Sequence, residues 1–329
     1  MGKRVLVTGG AGFIGSHLID KLLAQGDDVT VLDNFNDYYD PSNKRINIQE
    51  HLKNKNYRIV EGDLRDDASL DKVFQSAPFD SVVHLAAMAG VRPSLTQAAY
   101  YMDVNLNGTQ KLIDRITNSS PMARLVFGSS SSVYGSRECE NFKESDRVDR
   151  PLSPYAASKV AGELICYSAH HTTGLQVICL RFFTVFGPRQ RPDLAIHKFC
   201  ELISEGKPIE VFGDGTTRRD YTFVGDITDG IMSAMTSELP GYDIYNLGRS
   251  EPVGLTEMIE CLEKHLGKKA QIVRMPMQMG DVPFTFASID KAKQYLKYEP
   301  KVSFDEGVRR FVEWHLSRKK VASQVEIRA

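Results

Sequence analysis

Short apolar runs alternate with amphipathic stretches along the first half of this chain. Lys3–Val7 reads as a strand. After a glycine-rich turn, apolar residues recur at Ile14, Leu18, Leu22 and Leu23, the spacing of one helix face. Asp28–Leu32 is a second strand and ends on Asp33. Tyr57–Val60, Ser81–Ala87, Arg124–Phe127 and Gln176–Leu180 continue the series, with helical spacing between them. Strands alternating with helices predict an α/β fold with a doubly wound parallel sheet. From about Gly187 the pattern loosens, with Pro188, Pro192, Pro208, Gly213 and Gly215 interrupting it. Asp243–Gly248 reads as a strand that returns to the main sheet, so a smaller C-terminal part is expected to interleave with the first.

Composition narrows the class. The 329 residues are 42% hydrophobic and 25% charged, ordinary globular values, and the formal net charge is −1. The one run of three basic residues, Arg318-Lys319-Lys320, suits a solvated helix end, so no nucleic-acid partner is expected. The apolar N-terminus is broken by Gly9, Gly10, Gly12 and Gly15 and lacks a cleavage region, so it is not read as a signal peptide. Nowhere do about 18 apolar residues run together, so no membrane span is expected. Five dispersed cysteines (Cys139, Cys166, Cys179, Cys200, Cys261) read as reduced thiols of a soluble cytoplasmic protein. Neither a disulfide frame nor a metal site is expected from them.

The first strand–turn–helix carries chemistry. Thr8-Gly-Gly-Ala-Gly-Phe-Ile-Gly15 opens the helix, and the next strand ends in an acid, which makes one βαβ unit of about thirty residues. Gly9 permits the sharp turn, Gly12 leaves room for a pyrophosphate, and Gly15 lets the helix pack on the sheet. The N–H groups at the helix start, around Phe13 and Ile14, then hold phosphate. Asp33 accepts from the adenosine ribose hydroxyls and repels a 2′-phosphate, which favours NAD over NADP. Asp63 and Leu64 are adenine candidates at the third strand end, and Leu85, Ala86 and Ala87 line the cofactor at the fourth. Asn105, on a helix, is placed to steady the sheet or the site. The expected organisation is a Rossmann domain over 1–186, with 217–250 returning to it, and a substrate domain formed by 187–216 and 251–329.

Tyr155 and Lys159 stand four apart in a helical stretch after Pro154 and project from one face. A free tyrosine titrates near pH ~10, and a lysine beside it favours the phenolate and makes a usable base. The ordinary alternative, a surface Tyr–Lys pair, loses ground behind a nucleotide-binding half. Together TGGAGFIG, the HLAA at 84–87, SSSVYG, YAASK and RRDYTFVGD resemble the extended short-chain dehydrogenase/reductase family, and within it the nucleotide-sugar epimerases and dehydratases. The resemblance runs essentially end to end. It implies that Tyr155 is the base, Lys159 orients it, Ser130 completes the triad, and the chain forms a homodimer.

Relatives that dehydrate or decarboxylate their sugar carry an acid among the two residues before VYG. This chain has Ser131 and Ser132 there. Hydroxyls hold a substrate but supply no acid–base chemistry unaided, which points to a branch that only moves a hydride. The stretches at 33–45, 89–94 and 184–199 closely resemble UDP-glucuronate 4-epimerases. Ser131, Ser132 and Thr184 suit a sugar carboxylate, and Arg191 suits the same region or the diphosphate, with Arg92 as a weaker candidate for that work. Arg219 matches the family's diphosphate contact, with Lys198 secondary. Asp281 and Gln278 match its nucleotide end. Phe284 and Ser288 depart from the more usual arginine and aspartate, and Phe186 replaces a common tyrosine. Asp226 reads as the N-cap of a helix over 227–235. The expected reaction inverts C4 of UDP-glucuronate to UDP-galacturonate through a 4-keto intermediate. UDP-glucose 4-epimerase and UDP-glucuronate decarboxylase remain alternatives on the same frame. A non-enzymatic NAD-binding regulator is the distant one.

Overall fold

The computed structural model describes residues 2–136, 141–276 and 284–326. Its main sheet has seven parallel strands: β1 (Arg4–Thr8), β2 (Asp28–Asp33), β3 (Tyr57–Glu61), β4 (Ser81–His84), β5 (Arg124–Ser130), β6 (Gln176–Phe182) and, after a long excursion, Tyr242–Leu247. Their order is β3-β2-β1-β4-β5-β6 followed by 242–247 at the far edge. The order reverses between β1 and β4, and ligands bind doubly wound sheets at that crevice.

The alternation of side chains along each strand splits the core. Val5 and Val7 of β1 join one apolar cluster, with Leu18 and Leu22 of α1 (Phe13–Ala24). Leu6 joins the other, with Leu112 and Ile116. Successive residues of one strand therefore bury on opposite faces, and both faces need helices. On one side lie α1 and the later helix over Val224–Thr236. On the other lie α3 (Asp67–Phe74), α6 (Gly108–Ser119) and α7 (Pro154–Thr173). Between β2 and α3 comes α2 (Pro41–Ile48). Between β4 and α6 come α4 (Val91–Thr96), α5 (Ala98–Met102) and one π-helical turn over Asp103–Asn107.

Beyond β6 the chain builds smaller sheets. β7 (Thr184–Phe186) pairs parallel with β9 (Arg218–Phe223), and β9 pairs antiparallel with β11 (Pro252–Gly254). β8 (Pro208–Phe212) pairs parallel with β12 (Gln271–Met275). The strand at 242–247, β10, sits between β9 and β11 in the chain yet belongs to the main sheet, so the two parts interleave. The remaining helices are α8 (Ala195–Ser204), α9 (Val224–Thr236), α10 (Leu255–Leu266), α11 (Asp290–Leu296) and α12 (Phe304–Glu326).

Two local expectations change. The strand over 124–127 runs on through Gly128, Ser129 and Ser130, which pair with Leu180, Arg181 and Phe182. Ladder bonds and burial between β4 and β6 outweigh the weak strand preference of serine. Asp226 is not an N-cap. The cap is Phe223, and Asp226, inside the first turn of α9, accepts from the backbone N–H of Lys301 (3.0 Å) and Val302 (3.1 Å). It fixes the segment that leads into α12.

Candidate active site

A cavity of about 540 Å³ opens at the switch point and runs from the ends of β1–β3 to the ends of β5 and β7. At its first end the glycines do what their positions require. Gly9 has φ +72°, and a Cβ there would stand 2.7 Å from the Ala86 nitrogen. A Cβ on Gly15 would stand 2.4 Å from the Gly9 carbonyl oxygen, so α1 rests directly on the turn. Helix α1 begins at Gly12 with no side-chain cap and no acid in its first turn, leaving its N–H groups to the cavity. A pyrophosphate fits this cradle, and the residues present fit a dinucleotide.

Asp33 is buried at the end of β2. It accepts from the N–H of Ala11 (3.1 Å) and of Phe35 (2.9 Å), and Lys44 Nζ lies 3.4 Å away. Asp63 is gripped by Arg65 at 2.9 and 3.0 Å and also accepts from Asn34. The guanidinium holds its carboxyl down at about 2. Gly12, Phe13, Ile14, Leu64, Leu85, Ala86 and Ala87 line the same end of the cavity.

At the other end stand Ser130, Ser131, Ser132, Tyr155, Lys159, Thr184, Arg191 and Arg219. The 3₁₀ turn over Ser131–Tyr134 follows β5, and the Ser130 hydroxyl accepts from the Ser132 N–H at 3.2 Å. Helix α7 starts on Ser153, whose hydroxyl accepts from the Ala156 N–H, and so aims Tyr155 and Lys159 inward. Burial raises the Tyr155 phenol above its ordinary value, while its hydrogen bond with Ser130 and the Arg191 charge pull it down. Burial also lowers the Lys159 ammonium to about 8. Arg191 is held by Asp193 (2.8 and 3.0 Å) and lies 5.0 Å from the centre of the Tyr38 ring. Asp33 and Asp63 at the far end are the only carboxylates among the described lining residues.

Three sequence candidates stand away from the cavity wall. Asn105 spends its amide on the structure, accepting from the Met88 N–H (2.8 Å) and donating to the Met88 carbonyl (3.0 Å) and Ser158 Oγ (2.9 Å). It sits in the π turn, a geometry often found at functional sites, and ties the β4 loop to α7. Arg92 is exposed with its guanidinium over Phe212, and Lys198 is exposed near Glu210. Gln278 and Asp281 lie outside the described residues.

Sequence reasoning missed others. Tyr38, Tyr39 and Lys44 line the cavity from the loop after β2 and from α2. The only signal was their place in the 33–45 stretch. Behind the triad, Glu163 accepts from Ser129 Oγ (2.6 Å) and makes a two-pronged buried pair with Arg181 (2.9 and 2.7 Å). Arg181 also donates to Tyr134 OH, which donates to Asn246 of β10 at 2.6 Å.

Residues 6–311 match the model of a family described as GDP-mannose 4,6 dehydratase. The chain belongs to that family. It is 42% identical over 334 residues to UDP-glucuronate 4-epimerase 1 of Arabidopsis thaliana, covering 96% of this chain and 77% of the plant protein. It is 39% identical over 323 residues to UDP-glucuronate 4-epimerase of Thermodesulfobacterium geofontis, covering 98% and 99%. The fold superposes with a TM-score of 0.89 on the UDP-glucuronic acid 4-epimerase of Bacillus cereus in complex with UDP-glucuronic acid and NAD. That pair is 34% identical, with 94% of this chain and 98% of the other covered.

Proposed function

We propose that this protein is an NAD-dependent epimerase that inverts C4 of UDP-glucuronate to give UDP-galacturonate. One observation carries this beyond the family likeness. The cavity joins a dinucleotide cradle to a Ser130–Tyr155–Lys159 triad, and the surrounding wall offers hydroxyls and a guanidinium with no carboxylate among its described residues. Such a wall receives an anionic sugar and does not supply an acid for elimination.

The turn at Gly9–Gly15 and Asp33 would hold NAD, which would supply a reversible hydride acceptor for C4. Tyr155 takes the proton of the 4-hydroxyl and gives it back on the return step. Ser130, hydrogen-bonded to that phenol, steadies the oxygen as it becomes a carbonyl and again as it is reduced. Lys159, anchored from behind on β5, holds positive charge near the base. Arg219 anchors the UDP portion from the cavity wall while the flat 4-keto sugar turns over, and Asp281 and Gln278 join this reading only through their match to the family's nucleotide end.

The 4-ketone lies β to the C6 carboxylate, so the intermediate can lose carbon dioxide. Ser131, Ser132, Thr184 and Arg191 hold the carboxylate out of the geometry that aligns the breaking bond with the ketone π system.

Purified protein is incubated with UDP-glucuronate and no added NAD, and the products are separated by chromatography. UDP-galacturonate without a UDP-pentose is the expected result. A UDP-pentose as main product, or conversion of UDP-glucose alone, defeats the reading.

The proposed division makes 1–186 with 217–250 the NAD-binding part, which also lends Ser131, Ser132, Thr184 and Arg219 to the substrate, and 187–216 with 251–329 the nucleotide-sugar part. A homodimer is supported by Leu164 and Tyr167, one turn apart on α7 and 64% and 53% exposed. Apolar side chains that open suit a partner helix, and light scattering of the eluted protein reads the mass. No helix among the described residues is long and apolar enough to cross a membrane. The four described cysteines are free thiols, which suits the cytoplasm.

A further inference from the structure

Away from the cavity, three side chains with metal-ligating atoms converge where α10 meets the start of α12. Cys261 and His265 are one turn apart on α10 and share a face, and Asp305 stands in the first turn of α12. Cys261 Sγ is 3.6 Å from Asp305 Oδ1, and His265 Nε2 is 3.0 Å from the same oxygen. The three donor atoms all lie within 4.8 Å of one another. None of these residues lines the cavity, so the proposed reaction makes no use of them.

Both distances to the Asp305 oxygen stand close to those of a coordination sphere, and the sulfur and nitrogen lie within 4.8 Å of each other. Tetrahedral zinc binds sulfur at about 2.3 Å and nitrogen or oxygen at about 2.0–2.2 Å, which sets neighbouring ligand atoms roughly 3.3–3.6 Å apart. The sulfur–oxygen distance is already there, and the nitrogen–oxygen distance needs to open by a few tenths of an ångström. We infer that Cys261, His265 and Asp305 form a three-ligand site for a borderline-soft divalent cation of the zinc class, with water in the fourth position, that clamps α10 to α12.

The donor set selects the ion. A thiolate and an imidazole suit zinc or cobalt and disfavour magnesium or calcium. Without a metal, Lys264 Nζ balances Asp305 at 2.7 Å, and its side chain is 63% exposed, so it leaves for solvent without crossing packed structure. On binding, the thiol proton passes to solvent and the cation replaces the ammonium as the carboxylate's counter-charge. The dispersed cysteines hid this arrangement in the sequence, because the third ligand comes from 40 residues beyond the histidine.

Full-length protein titrated with Co²⁺ is expected to develop a thiolate-to-cobalt charge-transfer band that saturates at one equivalent and is displaced by Zn²⁺. Cys261→Ser and His265→Ala are each expected to lose the band while keeping the wild-type Tm in chelator. Lys264→Gln, a change at an exposed side chain, is expected to tighten Co²⁺ binding severalfold by removing the competing ammonium. No band in the wild type, a band that survives both ligand substitutions, or unchanged affinity in Lys264→Gln overturns the inference.

Discussion

The ammonium of Lys159 donates to the carbonyl of Gly128 at 2.7 Å and lies 6.0 Å from the ring centre of Tyr155. It is thus fastened to β5 two residues before Ser130. The same backbone that places the hydroxyl of the triad also places its charge. Burial lowers this lysine to about 8, so its charge is present below that pH and lost as pH rises through it. The rate is expected to show an alkaline limb near pH 8. Lys159→Met should lower kcat by about 10²–10⁴-fold and remove the alkaline limb. A variant with an unchanged profile would take the charge out of the mechanism.

Tyr155→Phe tests the base. The ring still packs edge-on against Tyr101, so the site keeps its shape. Turnover should vanish while NAD co-purifies in the usual amount. Retained turnover would move the base elsewhere.

The hydroxyl wall makes a prediction about products. A hydrogen bond to a charged group is worth roughly 1.5–3 kcal/mol, and about 1.4 kcal/mol changes a ratio tenfold. Thr184→Val or Ser131→Ala, by freeing the sugar carboxylate, should raise the UDP-pentose share of the product about tenfold or more. Chromatography of the reaction at completion reads that share. An unchanged share would mean these hydroxyls do not restrain the carboxylate.

Much of this was legible in the chain because it is local. The turn at Gly9–Gly15, Asp33 at a strand end and the four-residue spacing of Tyr155 and Lys159 are short-range patterns with short-range causes. The extension of β5 through Ser129 and Ser130 was not, because their pairing with Arg181 and Phe182 depends on a strand some fifty residues later. Nor was Lys44 beside Asp33, since a lysine on a polar helix reads as solvated until α2 folds over the β2 loop. Asp226 looked like a cap by position alone, and its real partners, at 301 and 302, come from the far end of the chain. Asn105 was correctly placed on a helix, but what its amide grips is a tertiary fact.

Acid should weaken the fold through buried histidines. His84 bridges Thr8 Oγ1 (2.7 Å) and Thr109 Oγ1 (2.9 Å), tying β1, β4 and α6, and burial lowers it to about 3. His17 and His315 are lowered to about 4, again chiefly by burial. The unfolded chain takes up a proton at each near pH 6.5 and the folded one does not. Their contribution is therefore full above about 6.5 and is lost as pH falls toward 4. Each costs up to about 1.4 kcal/mol per pH unit in that window. Urea unfolding from pH 7 to pH 4.5 measures the slope. His84→Gln, which keeps polar contacts and cannot ionise, should flatten it by its own share, and an unchanged slope would show that His84 does not set it.

The Glu163–Arg181 pair gives the last prediction and joins stability to catalysis. Both side chains are buried, and the carboxylate also receives the hydroxyl of Ser129, next to the catalytic serine. Removing one member of a buried pair leaves an uncompensated charge and costs roughly 3–5 kcal/mol. Glu163→Gln should therefore lower Tm by several degrees, and Glu163→Gln with Arg181→Met should recover much of the loss. The Glu163 charge also favours the protonated form of Lys159, one turn away on α7. The single variant should accordingly shift the alkaline limb of the rate to lower pH even at temperatures where it is fully folded. A merely structural pair would change Tm and leave that limb where it is.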